Sequence, residues 1–234
     1  MSPSSFKADP RLYAALDVAN INLARKLVDE LGAHIQSYKI GLQLLPIGGM
    51  DLARDLKAQG KHVFLDFKLH DIGATVEKAT RSIAPLGADL LTVHARPEVM
   101  AAAHRGREGT DLKILGVTVL TSLDKAALEE IGYGDSAKDL VMKRVDQAMR
   151  AGIDGVVASP LEAEHIRARV DDDFLIVTPG IRLADGDKGD QKRIATPDMA
   201  IKKGASHIVV GRPIHQATNP VIAAKTITDL MKNS

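Results

Sequence analysis

Short apolar runs rich in β-branched residues alternate along this chain with longer stretches whose apolar positions recur at helical spacing. The runs predict strands at Leu12–Val18, Ser37–Gly41, His62–Lys68, Leu90–Ala95, Ile114–Leu120, Gly155–Ser159, Phe174–Pro179 and His207–Gly211. Between them, Ile47–Gln59, Thr75–Leu86, Glu98–Arg105 and Lys138–Ala151 read as helices. In the last of these, Leu140, Val141, Val145 and Ala148 form one apolar stripe, and Met142 and Met149 are assigned to the core as well. Gly60, Gly87, Gly152 and Gly204 each follow a helical segment, where a left-handed terminus favours glycine.

Strands alternating evenly with helices suit either an open doubly wound sheet or a closed (β/α)8 TIM barrel. The barrel is the better fit. No glycine-rich GxGxxG turn follows the first strand, and the polar residues discussed below stand at strand C-terminal ends, where barrel sites lie. The whole chain, 1–234, is expected to be one α/β domain, with no linker or low-complexity tract. Thr121–Ala137 and Arg182–Pro197 are the longest stretches expected to be irregular, and the second has the character of a functional lid.

Composition narrows the function. The chain is 45% hydrophobic and 26% charged, as globular proteins are. Its 31 basic and 30 acidic residues are intermixed, so no basic face for nucleic acid is expected. Tryptophan is absent and aromatic content is 3%, which disfavours stacking platforms for single strands. There is no cysteine, hence no disulfide or thiolate metal site, and the eight histidines show no ligand-like grouping. No apolar stretch nears the roughly 20 residues needed to cross a bilayer, and Met1–Pro10 lacks the apolar core of a signal peptide. A cytoplasmic protein without membrane contact is expected.

The segment FLDFKLHDIGAT, Phe64 to Thr75, carries the strongest chemical signal. Strand side chains alternate faces, so Asp66 and Lys68 share one face while Leu65 and Phe67 take the other. Asp71 follows three residues later, with Ile72 beside it and Thr75 one helical turn on. A lone Asp/Lys pair is usually a salt bridge of little consequence. An opposite-charge pair at a barrel strand end with a further carboxylate is different, because burying such charges is costly unless they are paired or used.

Asp66, Lys68 and Asp71, followed by Ile72 and Thr75, resemble the signature of the orotidine 5′-monophosphate decarboxylases. The wider barrel superfamily shares only the first three, and Ile72 and Thr75 favour the nucleotide enzymes over sugar-phosphate decarboxylases. The likeness extends along the chain in order. AALDV supplies Asp17, YKIG supplies Lys39, VTVLTS supplies Thr121 and Ser122, and VTPGIR supplies Pro179 and Arg182. GDQKRI supplies Gln191, and VVGRPI supplies Gly211 and Arg212.

The resemblance implies a stand-alone, bacterial-type enzyme that needs no cofactor and makes UMP from orotidine 5′-monophosphate. It implies that Lys68 donates the proton within a network of Lys39, Asp66 and Asp71. Asp17 would bind ribose hydroxyls, and Thr121 and Ser122 would lie beside the pyrimidine. Gln191 and Arg212 would grip phosphate, with Arg182 in the same loop system and Gly211 allowing close backbone approach. It also implies a homodimer in which Asp71 and Thr75 enter the partner's site. His94, in TVHA, is given no catalytic role. The rival reading is a metal-dependent sugar-phosphate decarboxylase or aldolase on the same barrel; a phosphate-binding barrel that senses ligand without turnover is a further one.

Overall fold

The computed structural model describes residues 6–121, 123, 125–183 and 194–232. Among these, eight parallel strands close into a barrel in sequence order. They are β1 (Leu12–Ala15), β2 (Ser37–Gly41), β3 (His62–Leu69), β4 (Leu90–His94), β5 (Lys113–Val117), β6 (Gly155–Val157), β7 (Leu175–Thr178) and β8 (His207–Val210). β1 closes the ring on β8 with Leu12 opposite Ile208, and pairs with β2 with Tyr13 opposite Ser37. The helices on the outside are α1 (Ile21–Leu31), α2 (Gly49–Ala58), α3 (Gly73–Ile83), α4 (Pro97–Gly106), α5 (Lys125–Glu130), α6 (Ala137–Ala151), α7 (Ala163–Arg167), α8 (Pro197–Lys202), α9 (Arg212–His215) and α10 (Pro220–Lys232).

Local sequence accounts for the helix ends. Asn20 caps α1 by accepting from the Leu23 N–H at 3.0 Å, and Ser136 caps α6 by accepting from the Asp139 N–H at 3.2 Å. Gly152 ends α6 with φ 69°, a left-handed turn that costs glycine nothing. The other three glycines expected to end helices also have positive φ.

The structure corrects two expectations. Thr121–Ala137 is not wholly irregular: it contains α5, anchored by the buried Leu128. Met149 is 39% exposed, because the inner stripe of α6 is Leu140, Val141, Val145 and Ala148, and the next residue turns about 100° away from it. The predicted strands β1 and β5 also run past their ends, since the barrel mouth loops begin where the ladder stops.

Two apolar layers hold the fold. Between sheet and helices, Leu27, Leu31, Leu52, Leu56, Val99, Ile166 and Ile227 belong to one continuous core. Each fully buried leucine contributes about 2 kcal/mol of burial. Inside the barrel, Tyr13, Ala15, Phe64, Leu90, Leu115, Val177 and Val209 fill the lumen. Tyr13 and Phe64 meet edge to face at 5.7 Å. This plug fills the barrel under the mouth, so the polar groups above it stand on an apolar floor.

Candidate active site at the barrel mouth

The inward positions of β1 and β3 turn from apolar to charged toward the C-terminal end, and β2 carries Lys39 between Ser37 and Gly41. Asp17 follows β1, Lys39 stands in β2, and Asp66 and Lys68 stand in β3. They meet as an alternating row. Lys39 Nζ donates to Asp17 Oδ1 at 2.9 Å and lies 3.5 Å from Asp66 Oδ2, which in turn receives Lys68 Nζ at 2.8 Å. The Lys39 side chain is 8% exposed, Asp66 15% and Lys68 27%. Asp17 is 45% exposed, so the row opens to solvent at both ends, at Asp17 and at Lys68, with Lys39 and Asp66 buried between them.

Burial penalises the charges of Lys39 and Asp66, and the partners decide the outcome. Burial opposes charge on Lys39, yet Asp66 and Asp17 more than offset it and hold its pKa above the ordinary value. Burial likewise pushes Asp66 up, but Lys39, Lys68 and a hydrogen bond from Thr92 hold its carboxyl below the usual range. Asp66 is thus an ionised carboxylate at neutral pH in a site of low polarisability. Charges fixed before a reaction starts act most strongly in such a place.

The row borders a cavity of about 570 Å³, a size that suits a small ligand. Asp17, Lys39, Asp66, Lys68, Thr121, Pro179, Arg182, Gly211 and Arg212 line it, as the sequence led one to expect. Phe64, Val117, Val157 and Val209 form its apolar side. Arg212 stands at the start of α9, with Gly211 between it and the end of β8. The backbone beyond β7 is tied to the approach of α8, with the Arg182 N–H donating to Ala195 O at 3.0 Å. Arg182 is buried, and one of its guanidinium nitrogens donates to Ile181 O at 2.8 Å.

Three expected residues are not in this cavity. Asp71, Ile72 and Thr75 sit at the start of α3 on the outer rim, and Ile72 is 71% exposed. Asp71 Oδ1 accepts from the Ile72 N–H at 2.6 Å. Ser122 and Gln191 lie outside the described residues. His94 is half-buried, its ring tilted 44° to that of His70 at 4.9 Å, and outside the cavity lining.

Sequence reasoning missed three polar residues here. His215 and Gln216 line the cavity, one helical turn beyond Arg212, a spacing that could have found them. Burial lowers the pKa of His215; Asp17 opposes that shift and Arg212 adds to it. Thr92 is the third, and the alternation of β4 puts it on the inward face with Leu90. Among the described residues, no group of three or more histidines or carboxylates is placed to hold a metal ion.

These features define a class: a (β/α)8 barrel with a lysine–carboxylate row at one wall of its mouth and an arginine at the end of its eighth strand. The chain belongs to the orotidine 5′-phosphate decarboxylase / HUMPS family, whose sequence pattern matches residues 10–227. A protein of Caulobacter vibrioides named orotidine 5′-phosphate decarboxylase is 54% identical over 228 residues, covering 95% of this chain and 98% of the relative. One of the same name from Rhodopseudomonas palustris is 51% identical over 223 residues, covering 95% of each. The crystal structure of orotidine 5′-phosphate decarboxylase from Lactobacillus acidophilus superposes with a TM-score of 0.83 at 36% identity, covering 94% of this chain and 98% of that one.

Proposed function

We propose that this chain decarboxylates orotidine 5′-monophosphate to UMP and carbon dioxide in pyrimidine biosynthesis, as a single catalytic domain working in the cytoplasm. The observation that carries the reading is the Asp17–Lys39–Asp66–Lys68 row facing a nucleotide-sized cavity. When the C6–carboxylate bond breaks, its electron pair stays on C6. A preformed ammonium is the group that stabilises such charge without reorganising. Lys68 Nζ then gives C6 a proton and regains one from solvent. Asp66 and Lys39 hold that ammonium in place. Asp17 accepts from ribose hydroxyls, Thr121 and Ser122 adjoin the pyrimidine, and Pro179 and Arg182 bound the pocket. Arg212 and Gln191 grip the phosphate, and Gly211 allows close backbone approach.

The exposed rim of Asp71, Ile72 and Thr75 supports the further reading that two copies of this chain share their sites. A Lys68→Ala chain mixed with an Asp71→Ala chain then regains up to about a quarter of wild-type activity, because each hybrid dimer keeps one intact site. Proven hybrids without activity rule sharing out.

The direct test is ultraviolet loss of the orotate chromophore from orotidine 5′-monophosphate in excess chelator. Turnover that disappears in Lys68→Ala supports the decarboxylase. Turnover of a β-keto sugar phosphate that requires magnesium, with none of the nucleotide, replaces it with the metal-dependent reading.

A further inference from the structure

β3 leaves the regular strand pattern at its most chemically loaded point. Its register against β4 runs Leu65 opposite Leu91 and then Leu69 opposite Val93. Three residues, Asp66, Phe67 and Lys68, therefore face Thr92 alone. Lys68 has φ 49°, the one non-glycine among the described residues in the left-handed region. A bulky side chain pays for that conformation, and it persists only where neighbours hold it.

Thr92 supplies the hold. It is fully buried, and its hydroxyl touches both halves of the bulge. The Lys68 N–H, deprived of a ladder carbonyl, donates to Thr92 Oγ1 at 3.0 Å. The hydroxyl donates to Asp66 Oδ1 at 2.9 Å. This polarity is forced: an amide N–H only donates, and a carboxylate only accepts. Asp66 Oδ2 is left to the two ammonium groups.

We infer that Thr92 is a positioning residue whose hydroxyl locks the Lys68 bulge to the Asp66 carboxylate and so aims the Lys68 ammonium into the cavity. The functional arm of this inference rests on the decarboxylase reading; its structural arm does not. Threonine suits the role because its methyl fills the strand like valine while its hydroxyl serves two partners. Without the hydroxyl, a strained N–H and one carboxylate oxygen lose their partner together.

The experiment compares wild type with Thr92→Ser, Thr92→Ala and Thr92→Val in the orotate assay, with circular dichroism to establish folding. Serine keeps the hydroxyl and is expected within about threefold of wild-type kcat, whereas alanine and valine fall about 10- to 100-fold with KM changed less than about threefold. The acid limb of kcat moves to higher pH in Thr92→Ala, because Asp66 loses a hydrogen bond that favours its charged form. Wild-type kcat in the alanine and valine variants, or serine as impaired as alanine, overturns the inference. If valine does not fold, the serine–alanine pair, both lacking the methyl, still isolates the hydroxyl. A crystal structure of Thr92→Ala decides independently of turnover. Lys68 displaced from Asp66 or out of the left-handed region supports the inference, and an unchanged Lys68 refutes it. Absence of turnover in wild type sinks the decarboxylase reading instead and leaves this structural arm intact.

Discussion

At the N-terminal floor of the barrel, Asp89 accepts from the Val63 N–H at 2.7 Å, from Lys57 Nζ at 2.8 Å and pairs with His62 at 3.1 Å. Asp154 does the same work beside it, accepting from the Ile114 N–H at 2.8 Å and from Arg107. At the C-terminal mouth, no backbone N–H among the described residues donates to Asp66, which is held by one hydroxyl and two lysines. Floor carboxylates pin strand entrances and leave the backbone relaxed. Mouth carboxylates hold cations, and the strand beside them is strained at Lys68. The same two ion types thus pin strands at one end and, in the proposed reaction, serve chemistry at the other. Barrels divide their ends in this way because the mouth loops vary freely over a fixed body. The apolar plug of Tyr13, Phe64 and Leu115 separates the two ends, so a change at one is expected to leave the other intact.

The sharpest way to break this contrast is at Lys68. Lys68→Ala is expected to lower kcat by at least about 10⁴-fold, since proton donation and charge stabilisation go together. Its thermal midpoint should change little, because alanine keeps the Cβ that the left-handed turn strains and Asp66 keeps Lys39 and Thr92 as partners. A Lys68→Ala variant that unfolds would make the mouth a stability element too, and a steady-state assay beside a melting curve reads both.

Arg212→Ala comes next. If the guanidinium grips the remote phosphate as proposed, remote binding energy is used at the reacting centre, so kcat/KM should fall about 100-fold with kcat falling as well. Unchanged kcat at saturating substrate would reduce the grip to simple affinity.

The floor supplies the smaller effects. His207 is held by burial, with Lys113 and Arg11 adding to it, at a pKa of about 4. The folded pKa is lower than the unfolded value near 6.5, so the fold favours the neutral ring. The stability this confers is fully present above about pH 6.5 and is lost as pH falls toward 4, up to roughly 3 kcal/mol. Urea unfolding at pH 7 and pH 4 in wild type and His207→Gln measures it. Equal pH slopes in the two proteins would remove His207 as the cause.

Asp89→Asn is the mildest change. It weakens the Lys57 and Val63 contacts and should cost about 1 kcal/mol of stability while kcat stays within about twofold. A large loss of kcat there would mean that the plug transmits strain from floor to mouth.

Much of the site was legible along the chain. A strand's alternation is a local property, so Asp66 and Lys68 could be assigned to one face before any contact was known. Glycine at Gly152 and the stripe of α6 announced a helix and its end by the same local logic. Thr92 was illegible for the opposite reason. Its importance comes from standing opposite three residues of a neighbouring strand, and no run of letters near it records that register. Met149 failed as a core residue because one position of drift around a helix moves a side chain from core to water.

The sequence by itself determined the alternation of strands and helices, the closed barrel they favour, and the placing of acids, lysines and Arg212 at strand ends. These follow from backbone periodicity and from which residues leave water cheaply. Only the tertiary structure decided that Asp17, Lys39 and Asp66, far apart in the chain, form one row with Lys68. It alone bent β3 into a left-handed turn at that lysine. It also left Asp71 and Ile72 on an outer rim. Strand pairing sets each of these, and pairing is fixed by the packing of the whole ring rather than by any one segment.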